Sequence, residues 1–224
     1  MMRKRVAILI SGRGSNMSAL IDAAKAKDYP AKINCVISNI PDAAGLETAR
    51  ANGVETLAID HRAFGKGKEG RAAFEAALDK ALQRFGAEIV CLAGFMRLLT
   101  AEFTERWQGK LINIHPSLLP SFKGLNVHER MLEAGVKIAG CTVHFVSAET
   151  DAGPIIGQAA VPVAADDTPA SLAARILEQE HHLYPECLAR IASGRARLIA
   201  DGVVRLDGAA SPGSLFNPTP GTRP

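Results

Sequence analysis

Residues 6–10 form an apolar run with no polar break, ended by the turn Ser11-Gly12-Arg13-Gly14-Ser15-Asn16. A strand with one face in water alternates polar and apolar residues, whereas a strand without alternation is covered on both faces. Helices must therefore flank it, and the rest of the chain supplies them. A helical pattern passes through Ala19, Leu20, Ala23 and Ala24, and strand-like runs recur at 33–37, 54–59, 87–93 and 110–114. Helices are expected between them at 43–51, from the glycine- and lysine-rich loop 65–70 to about Phe85, and at 103–107. Strands alternating with helices predict an α/β fold built on a mostly parallel, doubly wound sheet.

The second half departs from that rhythm. A helix is expected at 127–134, then two strands at 138–146 and 154–163 joined by a polar turn, which predicts an antiparallel pair. A long helix follows at 168–191, with Thr168 as N-cap and Pro169 at its first position. No linker divides residues 1–207, so a single domain is expected there. Residues 208–224 turn to Gly, Pro, Ser and Thr and are expected to form a mobile tail.

Composition narrows the function classes. A net charge of +3, from 26 basic and 23 acidic residues, is too mild for a nucleic-acid surface. The four cysteines, Cys35, Cys91, Cys141 and Cys187, form no C-x-x-C pair, and three of them sit inside apolar runs, where they read as reduced core residues. No apolar stretch reaches membrane-spanning length and none resembles a signal peptide, so a soluble, cytoplasmic protein is expected.

Chemistry concentrates at Ile112-Asn113-Ile114-His115-Pro116-Ser117-Leu118-Leu119-Pro120. Side chains at i and i+2 of a strand share a face, so Asn113 and His115 can converge on one small volume. The carboxamide can donate to a developing oxyanion while the imidazole stores or delivers a proton. Upstream, the glycine turn opens a helix, where backbone amides favour a phosphate. The third glycine of the dinucleotide fingerprint is missing, as is the Gly-Lys-Ser/Thr of a P-loop, so one phosphate is the better reading. Asp151, in Asp151-Ala152-Gly153-Pro154, is a candidate to fix the tautomer of His115. Taken singly, each of these is also a routine turn or strand residue.

Together with LAGFMRLL at 92–99, TVHFV at 142–146, DAGPII at 151–156 and QEHHLYP at 179–185, these segments occur in one order. In that order the chain resembles the phosphoribosylglycinamide formyltransferases (glycinamide ribonucleotide transformylases), a family of folate-dependent enzymes of purine biosynthesis. The resemblance runs from about Val6 to Gly202. It implies transfer of the formyl group of 10-formyltetrahydrofolate to 5-phosphoribosylglycinamide, without a metal, by a monomer or homodimer.

The resemblance also implies roles. Asn113 would hold the formyl oxygen, His115 would act as general acid, and Asp151 would keep His115 charged and position a water. Gly14, Ser15 and Asn16 match the phosphate turn. Glu180 matches a carboxylate that receives ribose hydroxyls, flanked by Leu177, Glu178 and Gln179. Met96, Arg97, Leu98 and Leu99 match the folate wall; Ser147, Ala148, Glu149 and Thr150 match the loop over the pterin; Arg71 matches a basic residue near the folate tail. Met96 also reads as a core residue, and His144 reads as a structural strand residue. The chain departs from the family pattern at Asn126, where a histidine is expected, so an ionic role there is lost.

Competing readings are a 10-formyltetrahydrofolate hydrolase, a methionyl-tRNA formyltransferase, a non-catalytic folate or nucleotide module, and a nicotinamide-dependent oxidoreductase. The near-balanced charge and the absence of a further domain disfavour the tRNA enzyme, and the missing third glycine disfavours the oxidoreductase. The module predicts decay of Asn113, His115 and Asp151, all of which are present.

Overall fold

The computed structural model describes residues 2–200 and 202–208, so the expected tail lies, apart from Gly208, outside the described residues. The elements in order are β1 (Lys4–Ile10), α1 (Ser15–Ala23), β2 (Ala31–Ser38), α2 (Ala44–Ala51) and β3 (Glu55–Ala58). A 3-10 turn (His61–Phe64), α3 (Gly67–Arg84), β4 (Ile89–Leu92), α4 (Ala101–Arg106) and β5 (Leu111–His115) follow. Then come α5 (Val127–Glu133), β6 (Ile138–Phe145), β7 (Ile155–Pro162), α6 (Pro169–Ala192) and a small hairpin, β8 (Ala196–Leu198) with β9 (Val204–Leu206).

The main sheet has the order β3-β2-β1-β4-β5-β6-β7. β1 to β5 run parallel, while β6 is antiparallel to both β5 and β7. The unbroken apolar run works as expected: alternate residues of β1 serve two cores. Val6, Ile8 and Ile10 pack with Met17, Leu20, Leu46, Tyr184 and Leu188 on one face. Ala7 and Leu9 pack with Phe74, Leu78, Leu82, Phe103 and Trp107 on the other. Truncating a fully buried leucine such as Leu78 to alanine costs about 2–5 kcal/mol.

Two details anchor α6, which carries part of the site. Thr168 Oγ1 accepts from the Ser171 amide at 3.1 Å and Ser171 Oγ accepts from the Thr168 amide at 2.9 Å, a reciprocal cap. Farther along, the buried Tyr184 hydroxyl shares its one hydrogen between the carbonyls of Leu92 (2.9 Å) and Ile112 (3.2 Å), tying the helix to β4 and β5.

The structure corrects the sequence reading in two places. α3 begins at Gly67, inside the expected loop 65–70, because two weak helix formers in its first turn hide the start. The β8–β9 hairpin was not expected, since strands of three residues are too short to show a period.

Candidate active site

On β5 the isoleucines Ile112 and Ile114 point into a core, and Asn113 and His115 share the opposite face. The antiparallel partner β6 sets Thr142 against His115 and His144 against Asn113. Side chains directly opposite on paired strands touch, and Asn113 Nδ2 donates to His144 Nε2 at 3.3 Å. His144 Nδ1 lies 2.9 Å from the carbonyl of Phe145. A carbonyl only accepts, so Nδ1 carries the proton and Nε2 is free to accept the amide. Burial lowers the pKa of His144, with the Phe145 carbonyl and Asp151 opposing, and the neutral ring is the form this geometry requires.

Asp151 arrives from the β6–β7 connection. That loop turns so tightly that a Cβ on Gly153 would lie 1.8 Å from the Phe145 carbonyl oxygen, and Asp151 itself has φ +50°. A non-glycine residue in the left-handed region is held there by its surroundings. Asp151 Oδ2 accepts from the Gly124 amide at 2.9 Å and stands 3.4 Å from His115 Nδ1, and Oδ1 is 3.9 Å from His144 Nε2. His115 Nε2 faces the Phe122 carbonyl at 3.0 Å. Asn113, His144, Asp151 and His115 thus form one continuous cluster, with both histidines buried.

Beside the cluster opens a cleft of about 490 Å³, lined by residues 11–16, Ala93, Gly94, Met96, Pro116, His128, Ala173, Leu177 and Glu180. It lies past the carboxyl ends of β1, β4 and β5, where successive connections leave β1 and β4 in opposite directions. Ligands of doubly wound sheets bind at such a switch point. Gly14 caps α1 in the left-handed conformation (φ +74°) and offers no side-chain cap, leaving first-turn amides for an outside acceptor. The turn is tied to the loop after β4: Ser11 N donates to the Gly94 carbonyl (3.1 Å) and Met96 N to Ser11 Oγ (2.8 Å). On the far wall Glu180 is buried; burial raises its pKa, opposed by a hydrogen bond from Asn16.

A model of the family described as formyl transferase matches residues 4–188. The chain belongs to the formyl transferase family. It is 43% identical over 213 residues to the phosphoribosylglycinamide formyltransferase of Haemophilus influenzae, covering 95% of this chain and 98% of that protein. It is 50% identical over 200 residues to the trifunctional purine biosynthetic protein adenosine-3 of Bos taurus, covering 89% of this chain but only 19% of that much longer protein. The crystal structure of glycinamide ribonucleotide transformylase 1 from Symbiobacterium toebii superimposes with a TM-score of 0.86 at 47% identity, covering 92% of this chain and 95% of that one.

Within this formyl transferase the expected site residues separate into groups. Asn113, His115 and Asp151 meet as one cluster, and Gly14, Ser15, Asn16, Met96, Leu177 and Glu180 line the cleft. Met96 and Leu98 are 70% and 59% exposed; Met96 lines the cleft and Leu98 does not. Arg97 and Leu99 are half-buried in the same loop, which Glu75 anchors by accepting from the Thr100 amide at 2.8 Å. Ser147, Ala148, Glu149 and Thr150 form an outer loop, clasped to the proline loop by Lys123 and Glu149 at 2.9 Å. Arg71 sits in the early turns of α3 and does not line the cleft; neither does the exposed Glu178, nor Gln179. Helical spacing explains the last two, since Leu177 and Glu180 (i, i+3) share the inward face.

Two further points add to the sequence reading. His144, read as a structural strand residue, is buried on β6 as such, and there its Nε2 also stands between Asn113 Nδ2 (3.3 Å) and Asp151 Oδ1 (3.9 Å), set by the register that puts Thr142 and His144 opposite His115 and Asn113. Asn126 caps α5 with φ +53°, a backbone region in which Asn is several-fold enriched, so the position has a conformational use that needs no charge. All four cysteines are buried and unpaired, with burial pushing each thiol up to about 12, which makes them poor nucleophiles at neutral pH. Among the described residues no three His, Cys, Asp or Glu side chains gather so as to hold a metal ion.

Proposed function

We propose that this chain transfers the formyl group of 10-formyltetrahydrofolate to the amine of 5-phosphoribosylglycinamide, in the cytoplasm. The observation that carries the reading is the Asn113–His144–Asp151–His115 cluster, with both histidines buried, standing beside a cleft with an uncapped helix N-terminus. The phosphate binds the amides of Gly14, Ser15 and Asn16, and the sugar hydroxyls donate to Glu180, a carboxylate that only accepts. The folate lies along Met96–Leu99 under the loop 147–150.

The substrate amine attacks the formyl carbon, and the C=O becomes a C–O⁻ single bond. One hydrogen of the Asn113 amide is committed to His144, which turns the other toward that oxyanion. His115 is held by acceptors at both nitrogens, the Asp151 carboxylate and the Phe122 carbonyl, so it can carry two N–H groups and add positive charge nearby. Collapse re-forms C=O and breaks the carbon–nitrogen bond to the folate, whose nitrogen takes the Nε2 proton of His115 as that N–H leaves the Phe122 carbonyl. The surplus proton of the attacking amine returns to His115 through water beside Asp151, and the balance closes on formylated ribonucleotide and tetrahydrofolate.

The test is folate deformylation followed by absorbance, with and without the ribonucleotide. Turnover that requires the ribonucleotide supports transfer. Folate release without it identifies a hydrolase and overturns the reading.

A further inference from the structure

The first turn of α1 points two ways. Its backbone amides open to the cleft mouth, but the side chain of Asn16 crosses to α6, where Nδ2 donates to Glu180 Oε2 at 2.6 Å. The two residues are 164 positions apart and are 9% and 6% exposed. Asn16 Oδ1 is buried with no hydrogen-bond partner among the described residues. Fold stability does not account for this pair. Burial penalises the Glu180 carboxylate, as its raised pKa records, and the Asn16 acceptor is left unmatched. Apolar residues at both positions would serve packing better.

We propose that Asn16 is a positioning residue for recognition of a sugar diol: its side chain pins one oxygen of Glu180 so that the carboxylate is presented to two vicinal hydroxyls. This rests on the reading of the cleft as the phosphoribosyl site. A free glutamate samples several rotamers, and each must be frozen out when ligand binds. Glu180 is already fixed before the sugar arrives. Because the same residue gives its backbone to the phosphate turn and its side chain to Glu180, it also sets the phosphate and diol subsites relative to each other. The Asn16 side chain thus belongs to the sugar end of the site, not to the phosphate.

The test uses 5-phosphoribosylglycinamide and its 2-deoxyribose counterpart, by calorimetry and steady-state kinetics. Asn16→Ala is expected to weaken ribo-substrate binding about tenfold, the equivalent of one hydrogen bond. The kcat and the folate KM stay unchanged, and the deoxy-substrate, which already lacks one hydroxyl, is affected much less. In a Glu180→Gln background Asn16→Ala adds little, because the residue acts through Glu180. Asn16→Ser, too short to reach Glu180, carries the same expectation should the alanine variant fail to fold. Equal weakening of both substrates, or full additivity with Glu180→Gln, overturns the proposal and returns Asn16 to the phosphate. A wild-type protein that binds neither ribonucleotide overturns the cleft reading, and this proposal with it.

Discussion

His144 makes a demand on the active site that can be tested with two substitutions. Its Nε2 accepts from Asn113 Nδ2 at 3.3 Å, a long hydrogen bond, and its Nδ1 holds the Phe145 carbonyl at 2.9 Å. An asparagine at 144 places its amide near the Nδ1 position and keeps the second bond while losing the first. A glutamine reaches the Nε2 position and keeps the first. A neutral hydrogen bond of this kind contributes about 0.5–1.5 kcal/mol net, or roughly a factor of 2–13 in rate if all of it goes into aiming the amide. Removing an oxyanion donor outright costs about 10²–10³ in kcat, so the loss in His144→Asn must be smaller than in Asn113→Ala. We expect kcat to fall about tenfold in His144→Asn with KM unchanged, and to recover most of that in His144→Gln. In an Asn113→Ala background, His144→Asn adds little. The assay is steady-state deformylation, with thermal melts to show that both variants are folded. An undiminished kcat in folded His144→Asn, or equal losses in the asparagine and glutamine variants, refutes the role given to Nε2.

Acidity probes the same ring. Because burial depresses the pKa of His144, the folded state binds fewer protons than the unfolded state below about pH 6.5, so stability falls as pH drops through that window and is complete above it. His144→Gln is expected to flatten this part of the stability–pH curve in chemical denaturation, and an unchanged slope argues against a buried neutral ring. Gly153→Ala must move either the Phe145 carbonyl or the loop that delivers Asp151, given the 1.8 Å approach; we expect at least a hundredfold loss of kcat with native-like circular dichroism, and near-normal turnover contradicts the geometry. Tyr184→Phe leaves the carbonyls of Leu92 and Ile112 without their shared donor, at a cost of about 1–3 kcal/mol. At roughly 2–4 °C per kcal/mol for a chain of this size, calorimetry should show a drop of several degrees in Tm.

What was legible in the sequence follows from the range of the interactions. The sheet was readable because burial on both faces writes itself into consecutive residues, as in β1, and because Thr168-Pro169 is a local signal for the start of α6. Asn113 and His115 were readable for the same reason: two residues on one strand need no other part of the chain to bring them together. Asp151 could be named but not placed, since its distance to His115 depends on the register of β6 against β5 and on a glycine fitted under the Phe145 carbonyl. The Asn16–Glu180 bond, spanning 164 positions, left no local trace. In the sequence Asn16 belongs to a phosphate turn, and only the resemblance gives Glu180 a role, with nothing to connect the two. Only the packing of α1 against α6 makes one the partner of the other. The residues that pattern alone could not assign are those whose partners lie across the fold: His144 and Asn16 each hold a second side chain, Asn113 and Glu180, by a hydrogen bond between separate elements.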